Sequence, residues 1–274
     1  MEFYRFEKLR SHHLNPHLSS TQGPVIEGEY MYFRRVTKNA GSRSKPHYHP
    51  NEFMAFFLEG RSHAMIGNAR RVARPGMLVH IPSNARHNFK SIDDVKYLYI
   101  KDRTWTLIGA AADDALPAQA VSATQLAKAL KQGTYRGERD SGRKSAAIVT
   151  GLGECFYPWL EGLDVPAASG HHEHWLEGKN LAFGLVDSPP GHCTEEKKAQ
   201  HEIFAYVISG TLDAVAGKSA RRARPGDVIH VPRGTGYQWS IGKKSGAVRY
   251  AAVRSTTHLE EYVAKHGAAD NWRG

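Results

Sequence analysis

An internal repeat sets the architecture of this chain: the sequence aligns with itself when it is shifted by 150 residues. The segment NEFMAFFLEGRSHAMIG, residues 51–67, lies over HEIFAYVISGTLDAVAG, residues 201–217, and RVARPGMLVHIP lies over RRARPGDVIHVP. The match runs without a gap over about 65 residues. Self-similarity of this kind indicates that one structural unit occurs twice.

Each repeat is predicted to be a β structure. Segments such as MYFRRV, FMAFFLEG and GMLVHIP are rich in β-branched and aromatic residues, and LAFGLV, FAYVISG and DVIHVP match them in the second repeat. Gly or Pro interrupts these segments about every 8–12 residues, which is typical of a sandwich or barrel. Two short helices are predicted outside the strands, one with Ser122 as N-cap and Gln125 as its capping-box partner, the other with Thr257 and Glu260 in those roles.

The repeat also predicts the domain boundaries. An N-terminal barrel is expected over residues 1–120, a helix and linker over 121–168, and a C-terminal barrel, ending in a helix, over 169–274. The segment MEFYRFEKLR lacks the apolar core of a secretory signal, and no segment approaches the ~18 apolar residues of a membrane span. A cytoplasmic protein is therefore expected. Cys155 and Cys193 are expected to be free thiols.

The chain carries a net charge of +10 at pH 7. A basic solvated surface is the first interpretation, attraction of a small anionic substrate the second, and nucleic-acid binding the last. No helix-turn-helix, zinc-finger or RNA-binding signature accompanies the basic segments, which include RGERDSGRKS in the linker. The sequence therefore favours a small-molecule partner over a nucleic acid.

Two histidines of the first repeat, His47 and His49, stand one residue apart on a predicted strand. Residues i and i+2 of a strand point to the same face, so both rings can converge inside a barrel. His87, at the start of a later strand, can complete a set of three. An isolated pair of this kind is more often exposed or structural, but three imidazoles together suit Fe, Zn, Ni or Cu, and Mn less well.

The motifs around these histidines resemble those of the cupin superfamily, and specifically of a bicupin. They are GSRSKPHYHPNEFMAFFLEG, residues 41–60, and RPGMLVHIPSNARH, residues 74–87, in which Asn84 stands where the family prefers Gly. The resemblance covers both repeats. It implies an all-β fold of two tandem antiparallel jelly-roll barrels, one divalent metal held by His47, His49 and His87, and a homodimer.

The fourth ligand position of the family falls on Phe53, which cannot bind a metal. Its neighbour Glu52 points to the opposite face of a regular strand, although a bulge could turn it inward. Glu52 has a counterpart in the second repeat, Glu202. That repeat has lost all three histidines, which are replaced by Lys197, Ala199 and Tyr237. A glutamate kept where no metal can bind is expected to be structural, so Glu52 is the weakest of the possible ligands.

Four residues are predicted to contact substrate. Phe53 and Phe57 share a parity that faces the cavity, and Tyr32 and Arg34 lie on the preceding strand, where they can meet a carboxylate. Core packing for the phenylalanines and surface solvation for the arginine are the ordinary alternatives. Other groups with metal-binding side chains, in loops or near the N-terminus, are not expected to form specific sites; they are His171, His172, Glu173 and His174, and His12, His13 and His17. His80 and its counterpart His230 are expected to be strand or core histidines.

Three functions are compatible with this site. Three neutral imidazoles leave a bound ion its full charge and about three open positions. This pattern resembles the cupin iron dioxygenases that cleave gentisate-like aromatics or β-diketones. The favoured prediction is an Fe(II) dioxygenase acting on a small anionic aromatic or diketone-like substrate in the N-terminal barrel, with Mn, Ni or Zn as other possible metals. A non-oxidative metal-dependent isomerase or lyase and a non-catalytic ligand-binding bicupin are the alternatives.

Overall fold

The computed structural model describes residues 3–13, 15–135 and 142–269. Residues 136–141, in the predicted linker, lie outside the described residues, and they include much of the basic segment RGERDSGRKS. The described chain is built almost entirely of antiparallel strands, with two α-helices and one 3-10 turn, Phe6–Lys8.

The first half of the chain contains thirteen described strands. They are β1 (Phe3–Arg5), β2 (Ser11–His13), β3 (Gln22–Glu27), β4 (Met31–Lys38), β5 (His47–Tyr48), β6 (Phe53–Glu59), β7 (Ser62–Ile66), β8 (Ala69–Ala73), β9 (Met77–Ile81), β10 (His87–Ser91), β11 (Val95–Asp102), β12 (Ala110–Ala111) and β13 (Phe156–Pro158). They form two facing sheets of the first barrel, in the orders β13-β9-β6-β11-β4-β3-β2 and β12-β5-β10-β7-β8, while β1 lies elsewhere.

The second half repeats this arrangement. Its strands are β14 (His172–Glu177), β15 (Leu181–Ser188), β16 (Lys197–Lys198), β17 (Ile203–Ser209), β18 (Leu212–Ala216), β19 (Ser219–Ala223), β20 (Asp227–Val231), β21 (Gly236–Ser240) and β22 (Val248–Ser255). The two sheets have the orders β1-β20-β17-β22-β15-β14 and β16-β21-β18-β19. The register repeats as well, because His87 lies opposite His47 and Tyr237 lies opposite Lys197. The prediction of an all-β chain with two tandem antiparallel barrels is confirmed.

The two barrels exchange a short strand, which the predicted boundaries miss. β1 pairs with β20 of the second barrel, where Phe3 lies opposite Ile229. β13 pairs with β9 of the first barrel, where Phe156 lies opposite Val79. Residues 3–5 therefore belong to the sheet of the second barrel rather than to the first, and residues 156–158 belong to the first barrel rather than to a linker. The sequence contains a sign of this exchange, FYR at 3–5 and FYP at 156–158, but at a spacing of 153 rather than 150.

The barrels pack against each other through aromatic side chains on the outer faces of their larger sheets. Phe33 stacks on Phe204 with 5.1 Å between ring centroids, and Phe56 stacks on Phe183 at 5.2 Å. All four rings are fully buried, in one apolar cluster that draws residues from both repeats. Because a buried Phe contributes about 1.5–3 kcal/mol, the burial of these four rings stabilises the packing of the two barrels.

Both predicted helices are present. α1 (Ala123–Lys131) begins with the predicted capping box, because Gln125 N donates to Ser122 Oγ at 3.2 Å and Ser122 N donates to Gln125 Oε1 at 2.8 Å. α2 (Thr257–His266) differs, since its N-cap is Thr256, whose hydroxyl donates to the carbonyl of Lys179 instead of capping the helix. Among the described residues, neither helix has the length and apolar character needed to cross a membrane.

Candidate metal centre

Strand pairing brings the three predicted histidines of the first barrel together. β10 pairs with β5 at His87 and His47, and His49 follows directly after β5. The ring centroids are 4.2 Å apart for His47 and His87, 4.8 Å for His49 and His87, and 6.3 Å for His47 and His49. Their exposed fractions are 9%, 4% and 1% for His47, His49 and His87, so the cluster lies in the barrel interior.

The backbone around each ring fixes which nitrogen is free. Each Nδ1 lies within hydrogen-bond distance of a backbone carbonyl two residues away in sequence. The acceptors are the carbonyls of Lys45, Asn51 and Ala85, at 2.7, 2.9 and 2.8 Å from His47, His49 and His87. A carbonyl can only accept, so Nδ1 carries the proton and Nε2 keeps its lone pair. Three oriented Nε2 lone pairs are the donors that a divalent metal requires.

Burial also keeps these rings neutral. It lowers the pKa of His47 to about 4, and it lowers the pKa values of His49 and His87 well below the usual 6.5. The buried ammonium of Lys101 lowers all three further. Only the neutral imidazole binds a metal, so at neutral pH no proton has to leave before an ion enters.

Two of the three ring-to-ring distances match the spacing expected around a bound metal. With Nε2 about 2.1 Å from an ion, the centroids of two ligands at right angles lie about 4.5 Å apart. The pairs that include His87 match this spacing, whereas His47 and His49 stand wider. Consistent with that wider pair, no three His, Cys, Asp or Glu side chains in the described part of the chain form a closed coordination set. The three imidazoles therefore fit a metal in donor type, and His47 and His49 would have to move closer to bind one ion together.

A cavity of about 40 Å³ opens beside the three histidines. Phe53 and Arg34, two of the residues predicted to contact substrate, line it. The other two do not, because Tyr32 and Phe57 are fully buried in the apolar core of the first barrel. For Phe57, core packing was the ordinary alternative, and both side chains lie in that core.

The cavity is positively charged. Arg34 and Lys38 both line it, with exposed fractions of 2% and 3%, and none of the described lining residues is acidic. The Nη2 atom of Arg34 lies 3.4 Å from the carbonyls of His12 and Gly23, while its buried Nε has no hydrogen-bond partner. A buried cation with an unused donor is costly unless a ligand completes it.

Among the lining residues that the sequence analysis did not identify are Lys38, Tyr97 and Tyr99. Lys38 shares the parity of Arg34 on β4, so alternation could have identified it. The two tyrosines lie on β11, opposite Val36 and Arg34, and only this pairing brings them to the cavity. Burial raises the pKa of Tyr97 to about 12 and raises that of Tyr99 further, so both hydroxyls remain protonated hydrogen-bond donors.

Glu52 lies away from this cavity and joins the two barrels instead. Its carboxylate accepts hydrogen bonds from the amides of Lys179, Asn180 and Leu181, in the turn between β14 and β15, at 3.0, 2.6 and 2.9 Å. His80 Nε2 donates to the same carboxylate at 2.7 Å. With four donors in the opposite barrel's turn and on β9, Glu52 is a structural acceptor, and we do not assign it to the metal.

The second repeat mirrors this clamp. Glu202 accepts from the amides of Glu29, Tyr30 and Met31, in the turn between β3 and β4, at 2.7, 2.9 and 3.1 Å, and from His230 Nε2 at 2.8 Å. Each glutamate therefore binds the turn of the other barrel. His80 and His230 are strand histidines that orient these carboxylates, in agreement with the expectation for them.

The remaining histidines are separate from the cluster. His171 stacks on His192 at 4.2 Å, and its Nε2 lies 3.0 Å from Glu173, on the exposed strand β14. His17 lies 3.2 Å from the hydroxyl of Tyr135. His12 and His13 belong to β2.

Comparison with known proteins supports the fold and finds a family model in part of the first barrel. Residues 34–101 match the family model described as Cupin domain, and no curated protein matches the chain. The structure is similar to that of Bacillus subtilis oxalate decarboxylase, solved in a study of its Mn(II) centres, with a TM-score of 0.64 and 16% identity over 94% of this chain and 78% of that one. The same enzyme at pH 4.6 gives a TM-score of 0.61 at 16% identity over 93% and 76%.

A tryptophan variant of that decarboxylase gives a TM-score of 0.62 at 18% identity, over 93% of this chain and 77% of that one. At such identities the similarity concerns the fold alone. The narrower resemblance to iron dioxygenases finds no support in these comparisons.

Proposed function

We propose that this chain is a metal-dependent lyase that binds a small carboxylate in the N-terminal barrel and breaks a bond next to it without net oxidation. His47, His49 and His87 would hold one divalent metal. The observation that carries the proposal is the buried guanidinium of Arg34, which faces the same cavity as three neutral imidazoles. The small volume of this cavity, about 40 Å³, favours the non-oxidative alternative over the dioxygenase that the sequence suggested first.

The charges of the cavity argue for an anionic ligand. Arg34 and Lys38 bring two positive charges into a space without an acidic lining residue among those described, and a metal would add two more. Burial lowers the pKa of Lys38 to about 8, so its ammonium is still charged at neutral pH. A small carboxylate, or a dicarboxylate, would neutralise these charges and use the free Nε donor of Arg34.

The size of the cavity argues for a small substrate. A water needs about 10–15 Å³ of such space, so a cavity of about 40 Å³ holds roughly three waters. Pockets for drug-sized ligands are typically about 300–1,000 Å³. An aromatic substrate such as a gentisate would therefore not fit without rearrangement. The structurally similar enzyme is named for oxalate, a two-carbon dicarboxylate that matches both the charge and the size.

The chain's own residues supply binding and proton transfer. Arg34 would orient the carboxylate, and the hydroxyls of Tyr97 and Tyr99 would donate to it. A bound metal would polarise an adjacent oxygen as a Lewis acid. When the carbon–carbon bond breaks, CO2 leaves and the electron pair stays on the remaining fragment. We assign the proton that this fragment takes to Lys38 Nζ, which water then reprotonates.

The dioxygenase is kept as the second candidate because of its ligand set. Three neutral imidazoles without a carboxylate suit Fe(II) better than Mn(II), whereas the similar solved enzyme contains Mn(II) centres. Metal identity and O2 consumption separate the two candidates.

The test combines metal analysis with turnover. The purified protein, loaded with Mn(II) or Fe(II), is given oxalate, malonate or oxaloacetate, and the CO2 formed is compared with the O2 consumed. We expect CO2 without stoichiometric O2 uptake. His49→Ala should lose both metal and turnover, while His63→Ala, an exposed histidine on β7, should keep both. Equal amounts of O2 consumed and substrate cleaved would establish the dioxygenase, and saturable binding without turnover would establish a binding protein.

A further inference from the structure

The second barrel has lost the metal ligands but has not filled the space they left. A cavity of about 430 Å³ occupies the position that corresponds to the cavity of about 40 Å³ in the first barrel. Lys197 and Tyr237 line it, and their backbone pairing repeats that of His47 and His87. The cavity opens to solvent at β14 and β16, where its lining residues Trp175 and Lys197 are exposed. A cleft of this volume with aromatic walls has the character of a small-molecule site.

Specific replacements explain the larger volume. Arg34 and Tyr99, which face each other across β4 and β11, correspond by register to Gly184 and Ala252 across β15 and β22. The histidine at position 49 corresponds to Ala199. The groups that fill the first cavity have thus become small. Gly184 also allows close packing, because a Cβ there would lie 2.7 Å from the Trp175 ring.

We propose that the cavity of the second barrel is a metal-independent binding site for a planar aromatic carboxylate. Its walls are aromatic and come from β14, β21 and β22; the rings are those of Trp175, Tyr237, Trp239 and Tyr250. Its volume lies within the range of about 300–1,000 Å³ that is usual for pockets of small organic ligands. Flat rings that face a common space select a planar ligand by stacking.

Two acidic and two basic side chains line the cavity: Glu173, Glu177, Lys197 and Arg254. Glu177 forms an ion pair with Arg254, whose guanidinium lies 5.0 Å from the centroid of the Trp175 ring. Glu173 accepts from the indole Nε1 of Trp175 at 2.6 Å. The side chain of Lys197 makes no hydrogen bond or ion pair among the described residues, so its exposed ammonium is free to pair with a ligand carboxylate. Lys197 stands at the register position of His47, so a lysine replaces a predicted metal ligand there.

The site is tested with benzoate as the probe, by calorimetry on the full chain. We expect one saturable benzoate site, with benzamide and acetate at least about tenfold weaker, because the first lacks the charge and the second lacks the ring. Lys197→Gln should weaken benzoate about tenfold or more. Lys198→Gln is the matched control, because it removes the next and equally exposed lysine of β16, which does not line the cavity; it should change the affinity less than about twofold.

A second variant tests the volume of the cavity rather than the charge of Lys197. Ala252→Leu narrows the cavity and should abolish benzoate binding while Lys197 remains in place. The absence of saturable binding up to about 10 mM benzoate would overturn the proposal. Equal effects of the two lysine variants, or equal affinities for benzoate and benzamide, would overturn it as well. These readouts do not depend on metal or turnover in the first barrel, so they stand apart from the proposed lyase activity.

Discussion

Replacing the clamp glutamates with glutamine separates a structural acceptor from a metal ligand. In Glu202, Oε1 accepts from Glu29 N and His230 Nε2, and Oε2 accepts from Tyr30 N and Met31 N. Glutamine has a single oxygen, so whichever way the amide turns, one pair of donors loses its acceptor. Glu52 divides its four donors in the same manner, which makes the two positions matched partners.

The structure sets the expected size of the effect. Hydrogen bonds to a charged group contribute about 1.5–3 kcal/mol each, so the loss of two gives about 3 kcal/mol or more. For a chain of this size that corresponds to a fall in Tm of about 6–12 °C. Glu59→Gln is the control on the same strand, because Glu59 is exposed and pairs with Lys96 at the surface; such a pair contributes about 0–1 kcal/mol.

Thermal unfolding and metal content are measured together for Glu52→Gln, Glu202→Gln and Glu59→Gln. We expect the first two variants to lose similar stability and all three to keep the metal content of the parent. If Glu52→Gln lost the metal while Glu202→Gln kept it, Glu52 would be a ligand and its assignment to the clamp would be wrong. If both clamp variants unfolded like Glu59→Gln, the reasoning about unmatched amides would be refuted.

Three further predictions concern the first cavity and the barrel interface. Arg34→Met should raise the KM for a small carboxylate about tenfold or more while the metal content is retained, because a charged donor is lost. Arg35→Met, which removes contacts with Glu7 and with the Phe6 ring on the other face, should leave KM unchanged in the same kinetic assay. The pKa of Lys38 is lowered to about 8, so its charge is present below that pH and lost above it. Carboxylate affinity should therefore fall as the pH rises through about 8. A Lys38→Met variant should show no such fall in a titration from pH 6 to 9. Phe204→Ala should destabilise the chain by about 3–5 kcal/mol in denaturant unfolding, since it leaves a void under the stacked ring of Phe33; an effect below 1 kcal/mol would mean that the barrels do not unfold together.

The sequence predicted the strands and the histidine cluster because both depend on short-range patterns. Period-two alternation placed His47 and His49 on one face, and the repeat separated Glu52 from the other candidate ligands. The positive charge of the cavity was predicted only in part from the sequence, since Arg34 was identified whereas Lys38 was not. Tyr99 could not be found, because its place in the cavity depends on pairing between β4 and β11. The exchange of β1 and β13 was missed because its sign in the sequence, FYR at 3–5 and FYP at 156–158, is short and falls outside the offset of 150, while the strands that pair are distant along the chain.

The repeat also distinguishes residues that join the two barrels from residues that line their cavities. The matched glutamates 52 and 202 each contact the opposite barrel and therefore join the two barrels. The matched positions 47 and 197 differ, and His47 and Lys197 each line the cavity of their own barrel. A change at an interior position alters one cavity without disturbing the clamp, since the clamp lies on the outer face of the larger sheets. This separation allows one chain to keep a small cationic cavity with metal donors in one barrel and a wider aromatic cavity in the other.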